Sequence, residues 1–163
     1  LKAGSIFHSQ PQFKRARTVC RAARDDCDFP ELCTGRSAEC PTDRFQRNGQ
    51  PCQNNLGYCY NGKCPTMTNQ CIDVVGPDTT VSPDKCFESN MDAKDYRSCR
   101  MENGIHIPCE PQDIKCGRLY CSTVNTTFCV ARYFADRPDD GMVEPGTKCG
   151  DRKVCSNGHC IDM

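Results

Sequence analysis

A small disulfide-rich fold is the class this sequence predicts: elongated, mostly loops and short hairpins, with a few short helices in its later part. Three observations predict it. Seventeen of the 163 residues are cysteine, the density of a cross-linked scaffold in a secreted chain. Leu, Ile, Val and Phe together number 25, too few for a chain of this length to bury an ordinary core. Basic and acidic residues are 21 each, so the formal net charge is zero. A disordered chain this poor in apolar residues would normally carry strong net charge. Cross-links must replace the missing core.

The same composition excludes several functions. No apolar run approaches the ~18 residues of a membrane span. Charge balance argues against a nucleic-acid binder. The three histidines, His8, His106 and His159, form no His-Glu-x-x-His pair, so a zincin active site is absent. There is no Gly-rich phosphate loop and no Gly-x-Ser-x-Gly elbow. The chain is therefore expected not to be an enzyme. No signal peptide is visible, which points to a mature or excised segment.

The cysteines spread almost evenly from Cys20 to Cys160, with no Cys-x-x-Cys unit. A zinc knuckle needs such units to bring two thiolates to one ion, so zinc is not expected. Spread cysteines read as disulfides in an oxidising compartment. Seventeen is odd, so at least one lacks a partner within the chain.

Residues 1–13 hold no cysteine and no periodicity and read as a loose arm. Lys14, Arg15, Arg17, Arg21 and Arg24 are then followed at once by Asp25, Asp26, Asp28 and Glu31. That stretch fits either a solvated loop with local charge pairs or a presented recognition loop. Cys59-Tyr-Asn-Gly-Lys-Cys64 and Cys155-Ser-Asn-Gly-His-Cys160 repeat one pattern. Asn-Gly suits the centre of a type I′ turn, so each predicts a tight hairpin whose two cysteines need not bond to each other. The composition shifts near Pro65, which sets a boundary between modules 14–65 and 66–163. Beyond it, Met67, Cys71, Val74 and Val75 mark one helix face, ended by Gly76-Pro77. Ser82-Pro83-Asp84 predicts a Ser cap with Pro at the first helical position. Glu110-Pro111 opens another turn before Cys116.

Two further stretches carry candidate chemistry. Between Cys121 and Cys149 lie Phe128, Tyr133 and Phe134, then Arg137-Pro-Asp139-Asp140-Gly. Aromatics among turn residues on a cysteine-anchored loop fit an interaction face or a small satellite cluster. Asn125-Thr-Thr is an N-glycosylation sequon. Asp28, Glu31 and Asp43 are hard oxygen donors near cysteines that would draw them together. They fit a calcium site that also takes backbone carbonyls, or a solvated acidic loop.

The words between the cysteines match a family. Thr18-Val-Cys-Arg-Ala-Ala-Arg-Asp-Asp-Cys-Asp, Glu31-Leu-Cys-Thr-Gly, Ser37-Ala-Glu-Cys-Pro and Asn48-Gly-Gln-Pro-Cys resemble the later part of a disintegrin-like domain. Asn61-Gly-Lys-Cys-Pro, Asn69-Gln-Cys, Glu102-Asn-Gly, Ile107-Pro-Cys, Cys116-Gly-Arg-Leu-Tyr-Cys and Gly146-Thr-Lys-Cys resemble the cysteine-rich domain that follows it. Together, over residues 13–163, they resemble class III snake-venom metalloproteinases and their ADAM relatives. The resemblance leads us to expect no counterpart here of the protease domain or the early disintegrin segment.

The resemblance implies eight disulfides: Cys20–Cys40, Cys27–Cys59, Cys52–Cys64, Cys71–Cys121, Cys86–Cys129, Cys99–Cys109, Cys116–Cys155 and Cys149–Cys160. Cys33 is left over, available for a cap or a disulfide-linked dimer. The resemblance also implies one structural calcium ion held by Asp28, Glu31 and Asp43 with the backbone oxygens of Phe29 and Arg44. The adhesive loop falls on residues 21–28, where Arg24, Asp25, Asp26, Cys27 and Asp28 stand in place of Arg-Gly-Asp. The Cys27–Cys59 tether argues against direct Arg-Gly-Asp-type binding. The hypervariable exosite falls on residues 123–144, with Phe128, Tyr133, Phe134, Arg137, Asp139 and Asp140 as its contacts. The expected function is a secreted, non-catalytic venom module. It would block platelet or matrix adhesion by binding collagen, von Willebrand factor or a collagen-binding integrin. The alternatives are a regulator that binds a metalloproteinase, or an inactive fragment of one.

Overall fold

The computed structural model describes residues 12–125 and 129–163. In the earlier part, β1 (Val19–Arg21) pairs antiparallel with β2 (Glu31–Leu32), and β3 (Pro51–Cys52) with β4 (Gly57–Tyr58). Strands of two or three residues cannot bury a face of their own. Disulfides replace that face: Cys27–Cys59 and Cys52–Cys64 lie side by side as a buried cluster. At the 59–64 hairpin Tyr60 stands opposite Lys63. Asn61 and Gly62 turn there with φ of 48° and 81°, the positive values a type I′ turn needs.

The later part opens with α1 (Met67–Val75), where the Thr66 hydroxyl caps the Asn69 amide at 3.2 Å. Gly76, at φ 127°, ends it. Cys71 is fully buried, and Met67, Val74 and Val75 pack beside it on the main core. After β5 (Thr79–Val81) come α2 (Asp84–Phe87), the 3-10 turn Glu88–Met91, and the hairpin of β6 (Arg100–Glu102) with β7 (Ile105–Ile107). A second 3-10 turn, Pro111–Cys116, leads to β8 (Cys121–Thr123), which pairs back on β5. A three-stranded sheet, β9 (Lys148–Gly150), β10 (Lys153–Ser156) and β11 (His159–Asp162), closes the chain in the order β11-β10-β9. The core they share is Phe87, Leu119, Tyr120 and Val143 among five cysteines.

The 155–160 hairpin forms with Asn157 and Gly158 at φ 50° and 78°. Asn103 and Gly104 build a third turn of this kind between β6 and β7, which its Asn-Gly pair could have announced. The expected Ser82 cap does not form. Pro83 itself takes the cap position, without a side-chain cap bond. The Ser82 hydroxyl instead meets that of Ser122 at 2.8 Å across the buried face of β5 and β8. There each hydroxyl satisfies the other, which water cannot do.

The eight disulfides are those the resemblance implies. Cys33 is half-buried and carries none. No helix among the described residues is long and apolar enough to cross a membrane.

Candidate functional site

Arg21 leaves the end of β1 and its guanidinium enters the acidic group. It donates to both Asp28 carboxylate oxygens at 2.6 and 2.9 Å, to Asp43 at 2.9 Å and to the Phe29 carbonyl at 3.2 Å. Glu31 lies 3.8 Å away. Four of the five expected calcium ligands therefore face one cation. The fifth, the Arg44 carbonyl, accepts the Phe29 amide, while the Arg44 amide donates to Glu31 at 2.6 Å. The Arg21 hydrogen bonds hold the Asp28 carboxyl down at about 2, against the opposing effect of burial. The same contacts push the Arg21 guanidinium above its ordinary range. Three carboxylates with backbone carbonyls are the donor set calcium takes, so the residues fit the ion in kind. The Arg21 guanidinium already bonds the Asp28, Asp43 and Phe29 oxygens that such an ion would use. Two cysteine groups also have sulfurs within 4.8 Å of one another, Cys27 with Cys52 and Cys64, and Cys116 with Cys149 and Cys160. All six sulfurs are engaged in disulfides and offer no thiolate to zinc.

The loop at residues 21–28 is bonded inward. Asp25 accepts the amides of Cys27 and Cys64, and Asp26 that of Gln53. Arg24 reaches Asp43 at 3.0 Å, and its amide donates to Asp28. Cys27 is fully buried in its bond to Cys59. The acids that could have met a partner hold the loop to its own neighbours.

Residues 130–143 make a different surface. Cys121 and Val130 exchange amide bonds at 2.8 Å, and the Leu119 and Val143 amides donate to Gly141 and Gly117. Both feet of the loop are thus pinned to residues 117–121. At its tip, Arg137 donates its amide to the Phe134 carbonyl at 3.0 Å, and its guanidinium lies 4.6 Å from the Phe134 ring centroid. Phe134 is 39% exposed, and Arg137 and Asp139 also face solvent. Tyr133 turns the other way and stacks on Tyr96 with ring centroids 5.3 Å apart. The Asp140 carboxylate is bound to Arg132 and lies 3.6 Å from Arg137. Tyr133 and Asp140 therefore frame the loop, while Phe134, Arg137 and Asp139 are displayed. Phe128 lies outside the described residues. Asn125 is exposed at the start of the same excursion.

Reading the sequence missed Arg118. It is 1% exposed and lies beneath this loop, where burial draws its pKa down from the ordinary guanidinium value. Its sequence neighbours, Gly117 and Leu119, carry no sign of a buried charge.

Comparison with known proteins covers most of the chain. The ADAM cysteine-rich family model matches residues 48–135, and the disintegrin model residues 2–43. The chain is 62% identical over 152 residues to a kaouthiagin-like zinc metalloproteinase-disintegrin-like protein of Naja atra, covering 93% of this chain and 25% of that protein. It is 61% identical over 152 residues to the hemorrhagic metalloproteinase-disintegrin-like protein kaouthiagin of Naja kaouthia, covering 93% of this chain and 37% of that one. A zinc metalloproteinase-disintegrin-like protein of Cerberus rynchops is 60% identical over 156 residues, covering 94% of this chain and 25% of the relative. The chain thus spans well under half the length of these relatives.

Proposed function

The chain belongs to the ADAM cysteine-rich family, and from that premise we propose that it is a secreted, non-catalytic venom module that blocks platelet or matrix adhesion. The partner is collagen, von Willebrand factor or a collagen-binding integrin. The observation that carries this reading is the exposed Phe134 ring under the Arg137 guanidinium, on a loop pinned at both feet. Aromatic and arginine side chains dominate the binding energy of protein interfaces. A loop already held in one shape has little freedom left to lose on binding. The inward-bonded loop at residues 21–28 is not part of this contact.

Calcium belongs to the same proposal as a structural ion. Asp28, Glu31 and Asp43, with the carbonyls of Phe29 and Arg44, would hold it and so tie residues 28–31 to 43–44. When bound it supplies positive charge to three carboxylates, the task Arg21 performs here.

The test is binding of Phe134→Ala and Arg137→Ala to immobilised collagen, von Willebrand factor and a collagen-binding integrin, with the disulfides verified by peptide mapping. Each variant is expected to lose about 2 kcal/mol against one of the three, roughly thirtyfold in Kd. Unchanged binding in both variants would overturn the exosite assignment. Stoichiometric inhibition of a full-length metalloproteinase without any adhesion ligand would replace this reading with the regulator.

A further inference from the structure

Arg118 is a buried cation that forms no ion pair among the described residues. Its partners are backbone carbonyls. Nε donates to Tyr96 at 3.1 Å, Nη1 to Arg132 at 3.2 Å and to Asp140 at 2.7 Å, and Nη2 to Pro138 at 3.1 Å. Three of these four carbonyls belong to the displayed loop. The guanidinium carbon also lies 5.1 Å from the Tyr133 ring centroid and 5.8 Å from that of Tyr96, where ring faces favour a cation.

The flanking glycines leave room for this arrangement. A Cβ on Gly141, which has φ +87°, would stand 2.2 Å from the Arg132 carbonyl and 3.3 Å from Arg118 itself. A Cβ on Gly117 would stand 2.3 Å from the Ser98 carbonyl. The loop backbone can therefore close over the guanidinium, and carbonyl dipoles take the place of a counter-ion. Only a planar fork with several fixed donors can meet carbonyls from residues 132, 138 and 140 at once; an ammonium is a single point with three donors.

We propose that Arg118 is the positioning residue of the exosite: its guanidinium gathers the carbonyls of Arg132, Pro138 and Asp140 and so sets the loop shape that presents Phe134 and Arg137. This rests on the exosite reading above for its functional consequence, and on its own geometry for the conformational one. Three carbonyls of the loop converge on one buried charge, so the shape of its tip should fail separately from the disulfide frame.

The experiment measures amide hydrogen exchange and ligand binding on the same samples of Arg118→Lys and Arg118→Ala. Arg118→Lys is expected to keep all eight disulfides and the protection of β10 and β11. Exchange at the Arg137, Asp140 and Met142 amides should rise at least tenfold. Arg118→Ala should do the same, and millimolar guanidinium should restore part of the lost protection by entering the emptied space. Binding to collagen, von Willebrand factor or integrin should fall as far as in Phe134→Ala. Unchanged exchange at those three amides, or an equal rise across the whole chain, would overturn the proposal. So would failure of both variants to form the native disulfides, because the residue would then serve the frame and not the loop. If the wild-type chain binds none of the three ligands, the exosite reading fails, while the exchange data still decide the role of Arg118.

Discussion

Asp28 shows how one side chain's surroundings become a pH dependence. Its folded pKa of about 2 lies below the ordinary carboxyl value because Arg21 and the Arg24 amide bond to its charged form. A depressed carboxyl pKa stabilises the fold above the unfolded pKa of about 3.9, and the contribution fades as pH falls toward the folded value. In calcium-free buffer, the difference in Tm between wild type and Asp28→Asn should therefore be constant above about pH 5 and shrink between about pH 4 and 2. A difference that stayed constant through that window would contradict the Arg21 pairing. Phe87 is fully buried, with its ring edge-on to Tyr120 at 5.5 Å. Phe87→Ala should cost about 3–5 kcal/mol in denaturant unfolding. At this scale the acids were legible as oxygen donors between cysteines. The two arginines that organise the surfaces were not. Arg21 sits in a run of basic residues that reads as solvated, and the carbonyls around Arg118 come from residues 96, 132, 138 and 140, all distant from it in sequence.

At the level of elements, three hairpins share an Asn-Gly turn and differ in what surrounds the glycine. A Cβ on Gly158 would meet the Cys99 carbonyl at 2.6 Å, one on Gly62 would meet the Phe45 ring at 2.3 Å, and one on Gly104 would meet nothing within 4 Å. All three have φ near +80°. Alanine should therefore cost about 1 kcal/mol or more for backbone strain at each position. The excess should be largest at 158, where the obstacle is backbone, and intermediate at 62, where the exposed Phe45 ring can swing aside. Thermal unfolding of the three variants gives the order, and a Gly104→Ala cost equal to that of Gly158→Ala would contradict it. Periodicity located α1 because its apolar face packs on the core as its spacing implies. The start of α2 departs from the expected Ser cap because Ser82 has a buried partner, Ser122, forty residues away. Local sequence contains no trace of that pairing.

For the whole molecule, cross-links do the work of a core. Each of the eight bridges closes a sequence separation of 10 to 50 residues and stabilises the fold by roughly 2–4 kcal/mol, mainly by restricting the unfolded chain. Full reduction should therefore abolish the fixed environment of the tyrosines, read as loss of the near-ultraviolet circular dichroism. A reduced chain that kept that signal would show a self-sufficient core. Cysteine density and apolar poverty made the fold class legible. Which cysteine meets which came only with the resemblance, since spacing leaves many pairings open. The measurement that bears most directly on the proposed function is platelet aggregation with the purified chain, triggered in parallel by collagen and by a collagen-independent agonist. Selective loss of the collagen response, reversed by Phe134→Ala, is the expected result; no effect on either response, or equal block by wild type and Phe134→Ala, would contradict it.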